Sequence, residues 1–486
     1  MGILVKGWMR GVRINANGAA LIGIVAVAVG VRFAGLGSQS YWYDETLTVA
    51  LARAPFGLTA IGVHTEAEPP LYFALTWVWA RLFGDAEYGL RSLSGVCGVL
   101  TVPVMYGAAR TLFDGRVALI AALLTAVSPA MIAFSQEARS YALYVLLCAV
   151  SLWFLARAVR DGRPRDFAGW AVASALALLA HYFAIFFVVP EAGWILARAS
   201  SRRAGRLAVG GFGLALLAVL PLALYERRNG VEWIANTPLR DRLKTAGHFL
   251  FLGPGPGHGL AIPAALIAVA AAIVVVRRGD ARTRQSLLLI LWIGGAFVLL
   301  PIAAAIVGSD YVLDRNLLAA FLPLALVVAA GIASTGNRYI GSAIAFAICA
   351  LLIWSQVKII TTEGFQRDDW RAVAHALGPP TRDRVLFVLP GWQARPLAFY
   401  DRALRVVPSS KRITEAVTIT YTGPRPRPGP HRQAPLPPAL RPTRTRRVQR
   451  MILTWFRSPM PVLIRAPWYE RIPTSDGPVG YSEATR

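Results

Sequence analysis

Charged residues are scarce in this 486-residue chain. They make up 16% of it against 55% hydrophobic residues, and the mean hydropathy is +0.49. A soluble domain of this length carries far more charge. Apolar runs of about 17–22 residues recur from Asn17 to Trp354, and each is long enough to span a bilayer as a helix. The sequence therefore predicts a polytopic α-helical membrane protein.

Acidic residues are fewer than basic ones, 26 against 51, which gives a net charge of +25. Such an excess can indicate nucleic-acid binding, but its distribution argues against that function. The basic residues lie in short connectors between apolar runs, where the positive-inside rule places them, and in a Pro/Arg-rich segment near the C-terminus. We expect the lipid bilayer as a partner and no nucleic acid.

Cysteine is also rare. Cys97, Cys148 and Cys349 all lie in apolar segments without paired or metal-ligand spacing, so we expect small core residues. No small-residue cleavage site follows the first apolar run, which predicts an uncleaved first helix. No internal repeat of about 20–50 residues is evident, and the unusual polar residues gather at one face, both of which argue against a secondary transporter.

The apolar runs predict about eleven transmembrane helices. They cover residues 17–36, 90–110, 117–134, 140–157, 167–181, 183–198, 206–224, 260–276, 286–307, 316–334 and 339–357. The basic connectors share one side when the N-terminus is cytoplasmic, which places the C-terminus outside.

The first outer loop is predicted to contain interfacial helices. Its stretch "PPLYFALTWVWARLF", residues 69–83, is apolar but short for a span, so we expect an interfacial or partly re-entrant helix. Earlier in the loop, Leu47, Leu51, Ala54 and Leu58 recur at helical spacing, which predicts a helix lying flat on the membrane.

The composition divides the chain into three parts. Residues 1–357 form the predicted transmembrane domain, and 358–421 have the pattern of a small outer α/β module. Residues 422–486 are a Pro/Arg-rich tail that we expect to be partly disordered, although "MILTWFRSPMPVLI" within it can form a strand.

Unusual polar residues gather on the predicted outer face. They are Asp44, Glu45, Glu66, Glu68, Arg91, Gln136, Glu137, Arg139, His181, Tyr182, Asp314 and Arg315. Singly, each has a structural explanation: His181 suits a satisfied core histidine, and Arg91 and Arg315 suit interfacial anchors. Together they indicate a site for an anionic group, with acid–base or metal chemistry. Arginines bind phosphate bidentately, and a carboxylate beside an imidazole can hold a divalent metal.

Five motifs carry a family resemblance. They are "WYDE", "TEAEPPLYFALTWVWARLFG", "GLRSLSGVCGVLTVPVMY", "FSQEARSYAL" and "AHYFAIFFVVPEA". Over roughly residues 20–360 the chain resembles the GT-C membrane glycosyltransferases, and within them the bacterial branch of the protein mannosyltransferase/aminoarabinose transferase superfamily (glycosyltransferase family 39-like). The resemblance implies a GT-C fold and a multi-pass enzyme of the plasma (inner) membrane with an extracytoplasmic active site.

The resemblance also implies a reaction and a set of roles. A sugar would pass, with inversion, from a polyprenyl-phosphate donor to a cell-envelope acceptor: protein, lipid or polysaccharide. Mannose is favoured, with arabinose or another pentose next. Asp44 would be the general base, with Glu45 beside it supporting the loop through hydrogen bonds. The donor phosphate would meet Arg91, Arg139 and Arg315.

Further roles follow from the same resemblance. Glu66 and His181 would hold a divalent metal of unidentified type, with Glu68 as a competing ligand. Substrate contacts would come from Glu68, Gln136, Glu137 and Tyr182. This chain has "EPPL" where other protein mannosyltransferases have "HPPL", so no histidine role is carried over to that position. A lipid-linked glycan polymerase or ligase remains an alternative.

Overall fold

The computed structural model describes most of the chain. The described residues are 15–57, 68–198, 202–226, 232–256, 261–379, 381, 383–401, 404–406, 410–422, 436–465 and 479–483. They fall into two compact units. The first lies within Met1–Leu36, Ala54–Gly84 and Gly89–Lys358, and the second within Gly37–Arg53, Asp85–Tyr88 and Ile359–Arg486.

The first unit is a bundle of apolar helices. They are α1 (Ala16–Phe33), α3 (Leu71–Phe83), α4 (Glu87–Leu112, from Gly89 onward), α5 (Gly115–Val127), α6 (Pro129–Ser135), α7 (Tyr141–Asp161), α8 (Pro164–Ala180), α9 (Ile185–Arg198), α10 (Arg202–Glu226), α11 (Leu239–Leu252), α12 (Ala261–Arg278), α13 (Ala281–Ile306), α14 (Phe321–Ala333) and α15 (Arg338–Thr361, up to Lys358). A helix occupies each of the eleven positions that the apolar runs predict.

Seven of the described helices are long and apolar enough to cross a membrane. They are α1, α4, α7, α10, α13, α14 with the 3₁₀ turn before it (Asn316–Ala333), and α15. The pair α5 and α6 makes an eighth if it is counted as one span, bent by 55°. The bend lies at Ser128–Pro129, since proline has no N–H to continue the hydrogen bonds of α5. Helix α3 has 13 residues, which gives a length of about 20 Å, short of the hydrocarbon core.

The second unit contains a six-stranded sheet in the order β2-β6-β1-β3-β5-β4. Its strands are β1 (Arg384–Leu389), β2 (Leu404–Val406), β3 (Ser410–Tyr421), β4 (Arg441–Val448), β5 (Met451–Arg465) and β6 (Val479–Glu483). Strands β1 and β3 are parallel, and the other pairs are antiparallel. All six residues of β1 are buried, as expected of a central strand covered on both faces.

Three helices complete the second unit: α2 (Tyr43–Arg53), α16 (Trp370–Leu377) and α17 (Ala394–Tyr400). Trp370 and Val373 of α16 pack with Leu386 and Val388 of β1 in one apolar core. The predicted α/β character of the C-terminal module is therefore present.

Two details differ from the expectations drawn from sequence. Strand β4 lies in the stretch assigned to a partly disordered tail, where it pairs with β5, which occupies the segment predicted to form a strand. The arginines that made this stretch look unstructured project from the edge strand β4, whose charge, proline and register shift protect an open sheet edge.

Helix α2 is the second difference. We expected it to lie flat on a membrane, but it packs against α17, and Val49 and Leu51 are buried within the second unit. Of the predicted apolar stripe, Leu51 is buried, whereas Leu47 and Ala54 are half-buried. Leu58, the last residue of the proposed apolar stripe, lies outside the described residues.

Candidate active site

A buried ion pair is the centre of the charged cluster in the first unit. Arg139 donates a hydrogen bond to Glu68 Oε1, and Ser140 Oγ donates to Glu68 Oε2 at 3.1 Å. Glu68 stands directly before Pro69–Pro70 and α3, whereas Arg139 and Ser140 lie in the short loop between α6 and α7. The pair therefore joins the first loop to the bent helix pair.

Burial by itself raises the pKa of the Glu68 carboxyl. The positive charge of Arg139, helped by His181, Arg315 and the Ser140 hydroxyl, outweighs burial, so the pKa of Glu68 lies below its ordinary value. Glu68 is therefore an anion at neutral pH.

His181 directly follows the last residue of α8 and is buried beside that carboxylate. Its ring stacks on Tyr144 at 4.9 Å between centroids and lies 5.5 Å from the ring of Tyr141. His181 Nδ1 accepts the backbone N–H of Phe183 at 3.2 Å. The aromatic contacts and this hydrogen bond hold the imidazole in one orientation.

Arg315 contributes the second guanidinium near Glu68. It precedes the 3₁₀ turn Asn316–Ala320 and lies 5.8 Å from the ring of Trp233. The positive charges of Arg139 and Arg315 both lower the pKa of Glu68. The structure thus brings together four predicted site residues: Glu68, Arg139, His181 and Arg315.

The other predicted residues of the first unit have contacts within the protein. Arg91 is buried and donates to Leu36 O at 3.1 Å. Tyr182 donates to Glu226 Oε2 at 2.7 Å. Glu137 is buried. Gln136 Nε2 lies 3.2 Å from three carbonyl oxygens at the end of α1, those of Val31, Arg32 and Ala34.

The acidic pair Asp44 and Glu45 lies in the first turn of α2, in the second unit. Asp44 is half-buried and Glu45 is fully buried. Glu45 Oε1 lies 3.7 Å from a guanidinium nitrogen of Arg367, and Oε2 accepts the N–H of Trp42 at 3.4 Å. Glu66 lies outside the described residues.

This architecture matches known proteins. ArnT from Cupriavidus metallidurans in the apo state aligns with a TM-score of 0.55 and 14% sequence identity, over 90% of this chain and 98% of that one. The same protein bound to undecaprenyl phosphate aligns with a TM-score of 0.52 and 15% identity over the same shares. The family model described as dolichyl-phosphate-mannose-protein mannosyltransferase matches residues 67–225.

The chain is a membrane glycosyltransferase with the GT-C fold. The predicted fold class is thereby confirmed. No curated protein sequence matches the chain. A more distant structure, the Archaeoglobus fulgidus oligosaccharyltransferase in complex with Zn and sulfate, has a TM-score of 0.43 and 14% identity over 74% of this chain and 55% of that one. That likeness is too weak to bear on a metal in this glycosyltransferase.

The described residues fit a metal poorly. Because His181 Nδ1 accepts a backbone N–H, the neutral imidazole carries its proton on Nε2, which then has no lone pair for a metal. Glu68 is bound to Arg139 and Ser140, and no group of three metal-ligating side chains occurs in the part of the chain that the structure describes.

Sequence reasoning missed two arginines of this glycosyltransferase. Arg242 of α11 forms a bidentate ion pair with Asp310 and donates a hydrogen bond to Val312 O. It therefore connects α11 to the loop that leads to Arg315. Nothing in the local sequence around Arg242 signals this contact, because its partner is 68 positions away.

The other missed residue is Arg32, near the end of α1. It is fully buried and donates to Thr125 O at 2.9 Å and Ala126 O at 2.8 Å, the last carbonyls of α5, and to Ser135 Oγ at 3.2 Å. Gln136 in turn satisfies the last carbonyls of α1. The two side chains form a clasp that stabilises the bend before the Arg139 loop. A charge inside an apolar run was the signal that could have found it.

The clasp requires α4 to approach Arg32 and Ser135 closely at Gly98. A Cβ at Gly98 would overlap Ser135 Oγ and lie 2.9 Å from Arg32 Nε. We expect Gly98→Ala to lower the free energy of unfolding by about 1–3 kcal/mol through this overpacking. Thermal melting in detergent, followed by tryptophan fluorescence, measures the change.

Gly295 of α13 is the matched control. It is also a helical glycine, but nothing lies within 4 Å of a Cβ placed there. Gly295→Ala should leave the melting temperature unchanged or raise it, since alanine favours the helix. Equal melting temperatures for the two variants would contradict the clasp.

Proposed function

We propose that this glycosyltransferase transfers a sugar, with mannose favoured, from a polyprenyl-phosphate donor to a cell-envelope acceptor on the extracytoplasmic face of the plasma membrane. Asp44 is the general base. The observation that carries the proposal is a cluster in which the buried Arg139 and the half-buried Arg315 act through their positive charge on the buried carboxylate of Glu68. The solved ArnT bound to undecaprenyl phosphate supports a lipid-phosphate donor.

The chemistry of the donor explains the charge. When the anomeric carbon–oxygen bond breaks, the electron pair stays on the lipid phosphate, which needs positive charge rather than a proton. Arg139 and Arg315 provide that charge. Glu68 holds Arg139 in place and, because the pKa of Glu68 is lowered, it does so as an anion at neutral pH.

The acceptor requires a base. An acceptor hydroxyl attacks the anomeric carbon as its proton passes to a carboxylate, which inverts the configuration at that carbon. We assign this step to Asp44 because it is half-buried, whereas its neighbour Glu45 is fully buried and faces Arg367.

The proposal is tested by sugar transfer in proteoliposomes. Radiolabelled polyprenyl-phosphate mannose and polyprenyl-phosphate arabinose are offered with membrane extracts as acceptors, and a lipid-linked oligosaccharide is offered in parallel. We expect label transfer from a monosaccharide donor. Transfer only from the oligosaccharide donor would favour a glycan polymerase or ligase, and absence of transfer from every donor would contradict the proposal.

Adding a chelator to the transfer assay tests whether the reaction requires a divalent metal. Because the hydrogen bond at His181 Nδ1 leaves the proton on Nε2, we expect EDTA to leave the transfer rate unchanged. Loss of transfer with EDTA, restored by a divalent cation, would instead support the metal site predicted at Glu66 and His181.

A further inference from the structure

Residues of the C-terminal part hold the chain just before Asp44. Ser40 Oγ donates to Asp368 O at 2.8 Å and accepts the backbone N–H of Trp370 at 2.9 Å. The backbone N–H of Tyr41 donates to Tyr400 Oη at 2.6 Å, across a separation of 359 positions in the sequence. The "WYDE" motif therefore begins at a backbone bound to α16 and α17.

Tyr400 connects this backbone to a second charged pair. Tyr400 Oη donates to Glu87 Oε1 at 2.7 Å, and the same oxygen accepts a hydrogen bond from Arg371 of α16. Burial, helped by the Glu87 carboxylate, raises the pKa of Tyr400, so the phenol keeps the proton that it donates. Tyr400 thus accepts from one chain segment and donates to another.

The residues on either side of Asp44 are held in the same way. The guanidinium of Arg395 lies 5.3 Å from the ring centre of Tyr43. Arg367 faces the buried carboxylate of Glu45 at 3.7 Å, and its backbone N–H donates to Gln39 Oε1 at 3.2 Å. Both neighbours of Asp44 in the sequence therefore contact arginines from the C-terminal part.

We infer that Arg367 and Tyr400 are positioning residues for Asp44, so that the C-terminal α/β part takes part in the transfer reaction. The inference rests on the proposed function of Asp44. A general base acts only when its carboxylate lies within hydrogen-bond reach of the acceptor hydroxyl, and a displacement of about 1 Å can slow such a step about 100-fold. The contacts at Ser40, Tyr41, Tyr43 and Glu45 restrict such a displacement.

The test separates positioning from simple stabilisation. We expect Arg367→Met to lower kcat about tenfold or more, with the KM for the lipid donor changed less than about twofold, since donor binding does not depend on Asp44. Arg367→Lys keeps the charge and should regain part of kcat. Tyr400→Phe removes the hydroxyl that bridges Tyr41 and Glu87, and we expect a smaller fall in kcat, about threefold.

Arg457→Met is the matched control. Arg457 lies in β5, its side chain is 69% exposed, and it pairs with Glu415 at 3.8 Å on the same sheet. Its loss removes an ion pair of similar length without touching the first loop, so kcat should equal that of the wild type. Melting temperatures of all variants are measured, and the assays are run well below the lowest of them.

Three outcomes decide the inference. Loss of kcat in Arg367→Met with partial recovery in Arg367→Lys supports it. Wild-type kcat in Arg367→Met and Tyr400→Phe, with transfer abolished by Asp44→Asn, overturns it and leaves the proposed base intact. Wild-type transfer by Asp44→Asn overturns both. If Arg367→Met does not fold, Arg367→Lys and Tyr400→Phe decide, and wild-type kcat in both overturns the inference.

Discussion

Asp44→Asn is expected to lower kcat about 10³-fold, within the range of general-base catalysis. Asparagine has nearly the same shape as aspartate but cannot take a proton from the acceptor hydroxyl. Because Asp44 is half-buried and Asn preserves its volume, the melting temperature should stay close to that of the wild type. Initial rates at saturating donor and acceptor measure the effect.

Asp85→Asn is the control for this substitution. Asp85 is an acid of the same unit that pairs with Arg53, and both side chains are substantially exposed, at 44% and 34%. Exposed pairs of this kind contribute little to stability. The activity and melting temperature of Asp85→Asn should therefore both resemble those of the wild type. Retained transfer in Asp44→Asn would assign the proton transfer to another group.

Arg139→Met is expected to have the second largest effect. It leaves the buried Glu68 carboxylate without its principal cation, which typically costs about 3–5 kcal/mol. It also removes a guanidinium that we propose faces the departing phosphate, so transfer should fall about 100-fold or more. Thermal melting and transfer rate are measured on the same preparation.

A double variant separates these two effects. In Glu68→Gln/Arg139→Met no charge of the pair remains buried, and the glutamine can still accept the Ser140 hydroxyl. The melting temperature should therefore recover relative to Arg139→Met, because replacing a whole buried pair is often neutral. Transfer should not recover. Recovery of both would show that the pair is structural only.

The pH dependence of stability gives an independent check on the pair. The pKa of Glu68 is lowered on folding. The stability that its carboxylate contributes is therefore fully present above the ordinary pKa of 4.5, and it is lost as the pH falls through the lower pKa of the folded state. The wild type should lose stability through this group only below about pH 4.5, and Glu68→Gln should show a smaller acid-induced loss.

The sequence predicted the helical bundle well. In a bilayer each spanning segment must satisfy its own backbone hydrogen bonds, so apolar runs of sufficient length become helices whatever surrounds them. For the same reason, alternating topology grouped Glu68, Arg139, His181 and Arg315 at one bundle end before any contact was known. The structure brings these four together around one carboxylate.

The sequence did not predict the environment of α2. Its apolar spacing fitted a helix on a membrane surface, and in the structure the helix also packs against α17, with Val49 and Leu51 buried. A helix's periodicity shows that one face is apolar and does not show what covers it. Strand β4 was not predicted for a related reason, since an arginine-rich edge strand has no alternating apolar pattern.

The acidic pair of "WYDE" shows most clearly what the local sequence determines and what only the folded chain decides. Its placement next to a membrane-spanning helix followed from local sequence, because hydropathy and charge are properties of short segments. The distinction between Asp44 and Glu45 required tertiary structure: Glu45 is buried against Arg367, more than 300 positions away, and Asp44 is half-buried. Burial and charge pairing arise between distant segments, so only the folded chain separates two carboxylates that are adjacent in sequence.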